Sequence, residues 1–196
     1  VRFTNAAFVG YAAAAKWAQQ YNDPAAGRYS IAGPPGAIGA AAAATTYLGH
    51  PLERVAQAVR IAEVWGAAMP SSGMLRSSAT NAKELLSHST AVGVRAALAA
   101  ASGCEGPPSI LDGADFGIHP CDENSIESTV YLKPYPTCRF LHPTLDAIRS
   151  VGVLPDSKLI SSISISTPIA PSVFDKKDPD GPYQRQFSIP YAVMCL

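Results

Sequence analysis

The sequence carries no excess of charge of either sign. Its 196 residues hold 15 Lys+Arg against 15 Asp+Glu, for a formal net charge of zero. Nucleic-acid and membrane-surface binding both draw on a basic excess, so neither is expected. No apolar run is long enough to span a bilayer, and the first residues lack the basic, apolar and small-residue pattern of a secretory signal. The four cysteines, Cys104, Cys121, Cys138 and Cys195, include no CxxC pair and no metal-finger spacing. They read as reduced thiols of an intracellular protein, so a cytoplasmic setting is expected, with a mitochondrial one left open. The Gly-rich run at 33–39 follows no clear strand and lacks a P-loop lysine, which argues against phosphate cradling. Ser71-Ser72-Gly73 is not a nucleophile elbow.

What is present is apolar and unevenly placed. Hydrophobic residues make up 47% of the chain, enough for a core. Of 33 alanines, 29 fall in residues 1–101 and only 4 beyond, while the prolines run the other way, 5 against 12. Two regions built on different principles follow from this: a helical domain over 1–103 and a small α+β domain over 104–196. The fold class expected is mainly α with an α+β part.

The first region reads as four helices. Residues 8–20 are strong or adequate helix formers, closed by Asn22-Asp23-Pro24. The loop 27–36 contains the breaker Gly33-Pro34-Pro35-Gly36. An Ala-dense helix at 38–48 ends at Gly49, and Pro51 opens a third, with Leu52, Val55, Val59 and Ala62 at helical spacing. A loop over 69–78 leads to a fourth helix over 81–101, with Thr80 as its N-cap. So many alanines let helices approach closely, as in a bundle interior.

The second region is mixed. Residues 103–113 form a Pro/Gly-rich connector, and 127–132 read as a strand. A short helix over 144–151 stops at Gly152. Residues 158–167 read as a half-buried strand, with Ser alternating with Ile at 162–166. A polar loop at 175–182 precedes a helix start at 187–196, with Ser188 as N-cap and Pro190 in the first turn.

The densest chemistry lies in Lys133-Pro134-Tyr135-Pro136-Thr137-Cys138-Arg139-Phe140-Leu141-His142-Pro143. Three prolines restrict the backbone and can hold its polar side chains in place. Lys and Arg suit carboxylate binding, and His suits proton transfer near neutral pH. The competing reading is a rigid surface loop with incidental charges. The carboxylates Asp112, Asp115, Asp122 and Glu123 read better as turn caps. His119 beside Cys121 lacks further ligands for a metal, and His50 reads as the neighbour of a helix cap.

The stretch LKPYPTCRFLHPTLDAI resembles the MmgE/PrpD family, which includes 2-methylcitrate dehydratase, cis-aconitate decarboxylase and iminodisuccinate epimerase. GYAAAAKW, GAIGAAAAATTYLGHPLERVAQAVRIAEVWGA, AVGVRAALAAASGCEGPPSILDG and QFSIPYAV resemble further family segments in the same order. The KPYPxCRxxHP and FSxPYAV segments are the specific ones. The resemblance implies a helical domain followed by a smaller α+β lid, no metal or organic cofactor, a small di- or tricarboxylate bound between the two, and usually a homodimer. The implied chemistry removes a proton next to a carboxylate, followed by loss of water, loss of carbon dioxide or return of the proton.

Residue by residue, Lys133 matches the family's active-site lysine, implying a carboxylate grip or stabilisation of developing negative charge. Cys138 stands where members carry His or Cys, and His142 matches the His of the HP pair, as acid/base, supporting group or helix start. Arg139 and Tyr135 complete the expected substrate contacts. Ser30 stands where a His is common in the family. Lys83 is one position away from a family lysine, and Leu85 replaces the His that follows it. That shift turns a helical side chain by about 100°. His88, about one turn later, is the substitute candidate for catalysis. The family's N-terminal Asp and His have no counterpart here, so a short or truncated member is expected. The expected activity is a lyase dehydrating a citrate- or alkylcitrate-type acid. The alternatives are an isomerase or epimerase using the same deprotonation, or a non-catalytic reduced homologue that binds a ligand or a complementary subunit.

Overall fold

A computed structural model describes residues 1–21, 29–30, 33–66, 69–70, 84–109, 130–152, 159–167 and 174–196. The chain divides into two compact units, Val1–Ser71 with Asn81–Tyr131, and Ser72–Thr80 with Leu132–Leu196.

The first unit is helical: α1 (Arg2–Tyr21), α2 (Gly33–Leu48), α3 (Leu52–Trp65) and α4 (Glu84–Ala101), with a two-residue antiparallel pairing of β1 (Tyr29–Ser30) and β2 (Met69–Pro70). Helix α2 packs against each of the other three, and α3 also packs on α4. The core is Trp17, Ile38, Val55, Val59, Ile61 and Val92 set among buried alanines, including Ala37, Ala41, Ala58, Ala62, Ala96 and Ala97. Alanine offers little apolar area, so cohesion here comes from dispersion between closely approaching backbones, about 0.1–0.2 kcal/mol per atom pair.

Three glycines permit that approach. A Cβ on Gly10 would lie 2.7 Å from the Gly39 carbonyl oxygen, and one on Gly39 would lie 2.8 Å from that of Gly10. The α1–α2 crossing is therefore backbone against backbone. Gly93 does the same for α4 against Ala37, Ala40 and Ala41 of α2. Trp17 Nε1 donates to Glu63 Oε1 at 2.9 Å, tying α1 to α3. The Gly106 N–H donates to Gln57 Oε1 at 2.9 Å, laying the connector on α3.

Several boundaries differ from the sequence reading. Helix α1 begins six residues earlier, and α2 begins at Gly33 within the Gly-Pro-Pro-Gly run rather than after it. In the first turn backbone N–H groups have no intrahelical partner, so proline loses nothing there and its φ is already helical. Leu52, placed on the buried stripe of α3, is exposed, because the helix only starts at that residue. Gly49 and Gly152 end their helices at φ of 83° and 86°, a conformation that disfavours any side chain.

The second unit contains a 3-10 turn (Arg139–Leu141) running into α5 (His142–Ser150), then α6 (Pro182–Arg185) and α7 (Ile189–Met194). Its core gathers Tyr135, Leu141, Leu145, Phe174, Ile189 and Ala192. Ser188 caps α7 as expected: its Oγ accepts from the Tyr191 N–H at 3.0 Å and donates to the Lys176 carbonyl at 2.5 Å. The strand expected at 158–167 is not seen. Residues 160–167 run without regular structure, and of their isoleucines only Ile165 joins the core. A strand needs a partner for its backbone groups, and the described residues 130–132 do not supply one. Among the described residues this unit is therefore helical with extended segments, and an α+β lid is not seen. No helix of the described residues is long and apolar enough to cross a membrane.

Candidate functional site

The Pro-stiffened segment leaves Leu132, crosses a run of bends and enters the 3-10 turn. It is fastened at two points. The Cys138 N–H donates to the Gln186 carbonyl at 2.8 Å, joining it to the end of α6. Tyr135 is buried, and its phenol donates to Asp146 Oδ1 at 2.7 Å, joining it to α5.

Helix α5 presents His142, Asp146 and Arg149 at positions i, i+4 and i+7, one stripe of its surface. Tyr135 lies across that stripe. Its ring meets the His142 imidazole edge-on, with centroids 5.2 Å apart at 86°. The Arg149 guanidinium sits 4.9 Å from the Tyr135 ring centroid, a cation–π contact. The hydrogen bond to Asp146, helped by burial, holds the Tyr135 phenol above its ordinary pKa, while Arg149 pulls the other way. Tyr183 of α6 is buried as well. Burial pushes its phenol up, and the nearby Cys138 thiol adds to the effect.

His142 is only 1% exposed, and its Nε2 has no hydrogen-bond partner. Its backbone N–H closes the 3-10 turn on the Arg139 carbonyl. The Thr137 hydroxyl oxygen is likewise buried and unpartnered. Lys133 is exposed, with Nζ 3.4 Å from the Thr137 carbonyl oxygen. An ammonium has three donors, so this long contact leaves it able to take a carboxylate. Arg139 is exposed and Cys138 half-buried.

Five of the sequence-selected residues, Lys133, Tyr135, Cys138, Arg139 and His142, thus lie in one segment of the second unit. Of the remaining candidates, Ser30 and His88 lie in the first. Ser30 is in β1, its backbone opposite Met69. His88 is exposed on α4, because the buried phase of that helix runs through Ser89, Val92, Ala96 and Ala100. Lys83 lies outside the described residues, as do Thr80, Asp112, Asp115, His119, Cys121, Asp122 and Glu123. Asp146, Arg149 and Thr137 were not singled out from sequence. The i, i+4, i+7 spacing of His142, Asp146 and Arg149 was the signal available for the first two. Among the described residues no group of three or more His, Cys, Asp or Glu is placed to hold a metal.

The sequence profile of the MmgE/PrpD N-terminal domain matches residues 2–122, well over half of the chain. The chain belongs to the MmgE/PrpD family. No curated protein and no solved structure matches it. The MmgE/PrpD match takes in α1 to α4, with Ser30 and His88 inside it. The Lys133–His142 segment lies beyond its end.

Proposed function

We propose that this chain belongs to a cofactor-independent lyase that dehydrates a small di- or tricarboxylic acid of the citrate or alkylcitrate type. The observation that carries the reading is membership of the MmgE/PrpD family, whose N-terminal domain points to dehydratases and related lyases. The polar inventory of the second unit supports it. The Lys133 ammonium grips a substrate carboxylate and stabilises the negative charge that develops as the adjacent carbon loses its proton. Arg139 and Cys138 contact the substrate from the same segment. His142, with its Nε2 unpartnered, carries the proton, and His88 is the alternative carrier. The protein acts in the cytoplasm as a homodimer or beside a complementary subunit.

A second reading keeps the deprotonation and returns the proton, giving isomerisation or epimerisation. Ser30 in place of the usual His favours it, because departure of a hydroxyl needs an acid and a serine is a poor one. One experiment separates the readings. The protein is incubated with citrate or 2-methylcitrate in D2O, following alkene absorbance and deuterium in recovered substrate. Alkene formation that is lost in Lys133→Ala supports the lyase. Deuterium without alkene supports the isomerase. Neither signal, from folded protein, overturns both and leaves the binding homologue.

A further inference from the structure

We infer that Tyr135 is a positioning residue: with Asp146 and Arg149 it forms a clasp that fixes the Lys133–Cys138 segment and the His142 ring on α5. The inference refines the proposed site, and in its catalytic part rests on that reading. Residue type alone makes Tyr135 a substrate contact, with a phenol available to a carboxylate. Its geometry removes that role. The side chain is 93% buried, being 7% exposed, and its hydroxyl already donates to Asp146 Oδ1 at 2.7 Å. A phenol has one proton to donate, so a substrate carboxylate would have to displace Asp146.

The three contacts of Tyr135 reach three residues of one α5 stripe: its edge to His142, its hydroxyl to Asp146 and its face to Arg149. A ring held at edge, face and tip has one orientation. Lys133 lies two residues before it and Cys138 three after, with prolines at 134 and 136 on either side. Those prolines limit backbone freedom, so fixing Tyr135 fixes what flanks it. The second tie, from the Cys138 N–H to the Gln186 carbonyl, holds the far end. The clasp also packs His142 from one side while leaving its Nε2 without a protein partner. The ring is held, and its buried Nε2 keeps its hydrogen-bonding capacity unspent.

The test does not require turnover. The cysteines are alkylated with iodoacetamide, and the rate at each is read by peptide mass spectrometry, with the exposed Cys104 and Cys195 as internal references. Tyr135→Phe keeps the ring and removes the hydroxyl bond. Asp146→Ala removes the acceptor, and Asp146→Asn retains one. In Tyr135→Phe and Asp146→Ala, Cys138 should label about fivefold faster or more against both references, the factor expected from losing one ordinary hydrogen bond. Asp146→Asn should label close to wild type. An unchanged Cys138 rate in both breaking variants overturns the clasp. So does an equal acceleration of Cys104, Cys138 and Cys195, or an Asp146→Asn protein that behaves as Asp146→Ala. Where turnover is measurable, the breaking variants should lower kcat more than they raise KM. Absence of turnover in the wild type defeats the proposed function and leaves the labelling result standing.

Discussion

Replacing Gly93 with alanine tests whether the first unit is held by backbone contact or by ordinary side-chain packing. The new Cβ would fall 2.7 Å from Ala40 Cβ and 2.9 Å from Ala41 N, and closer still to the Ala37 carbonyl oxygen. Two carbons prefer about 3.5–4.0 Å. The overlap is therefore most of an ångström, and two of the three neighbours are backbone atoms of α2 that have no rotamer to change. Relief requires α4 to move away from α2, which loosens Ala96, Ala97 and Ala100 in the core. Overpacking of this kind costs about 1–3 kcal/mol, and rigid neighbours put Gly93→Ala toward the upper end. Against that, alanine is better than glycine inside a helix by about 1 kcal/mol. The balance is a loss of about 1–2 kcal/mol, a fall in melting temperature of roughly 2–8 °C for a chain of this size.

Gly36→Ala is the matched control. It also lies between α2 and α4, yet its Cβ would meet only Ser89 Cβ, at 3.5 Å. That is ordinary contact, so the helix gain stands alone and Gly36→Ala should melt at or above the wild type. Circular dichroism melts of the three proteins at equal concentration decide the matter. If Gly93→Ala melts as late as the wild type, or if Gly36→Ala falls equally far, the close approach of α4 to α2 is wrong.

The second unit gives further expectations. Ser188→Ala removes the cap of α7 and the bond to the Lys176 carbonyl, and should cost about 1–2 kcal/mol, read as a lower urea midpoint. An unchanged midpoint would show that α7 does not depend on its cap. The phenols of Tyr135 and Tyr183 are both held above the usual value near 10. Below that pH the folded and unfolded chains hold these protons alike. Above it the unfolded chain loses them first, so stability should fall with rising pH until the folded phenols also titrate. Tyr183→Phe should flatten this alkaline decline in melting temperature, and an identical decline in both proteins would contradict the burial of Tyr183. In the wild type, absorbance of phenolate should show part of the 8-tyrosine signal titrating late.

The helical half was legible where local rules decide the outcome. Gly49 stops α2 because no side chain favours its positive φ, and the alanine density of α2 and α4 announces close packing before any contact is known. The Gly33-Pro34-Pro35-Gly36 run misled, because the same prolines that break a helix interior open one at no cost, and sequence does not say which end is present. The Ser–Ile alternation at 162–166 misled for a different reason. Period two describes which face a residue would present, whereas a strand exists only when a neighbour takes its hydrogen bonds.

The candidate site divides along a similar line. Sequence gathers Lys133, Tyr135, Cys138, Arg139 and His142 as a set of polar groups within one stiff segment, and each is equally eligible for chemistry. Eligibility depends on what each group is already bonded to, and that is settled by α5. Tyr135 finds Asp146 and is engaged. His142, seven residues on and touching the same ring, keeps its Nε2 unpartnered. His88 has chemistry identical to that of His142 and lies on the exposed phase of a helix whose other face is alanine core. The two histidines are distinguished by phase and bonding. The hydrogen bonds within the second unit thus mark Tyr135 as already engaged, and the unpartnered Nε2 sets His142 apart from it.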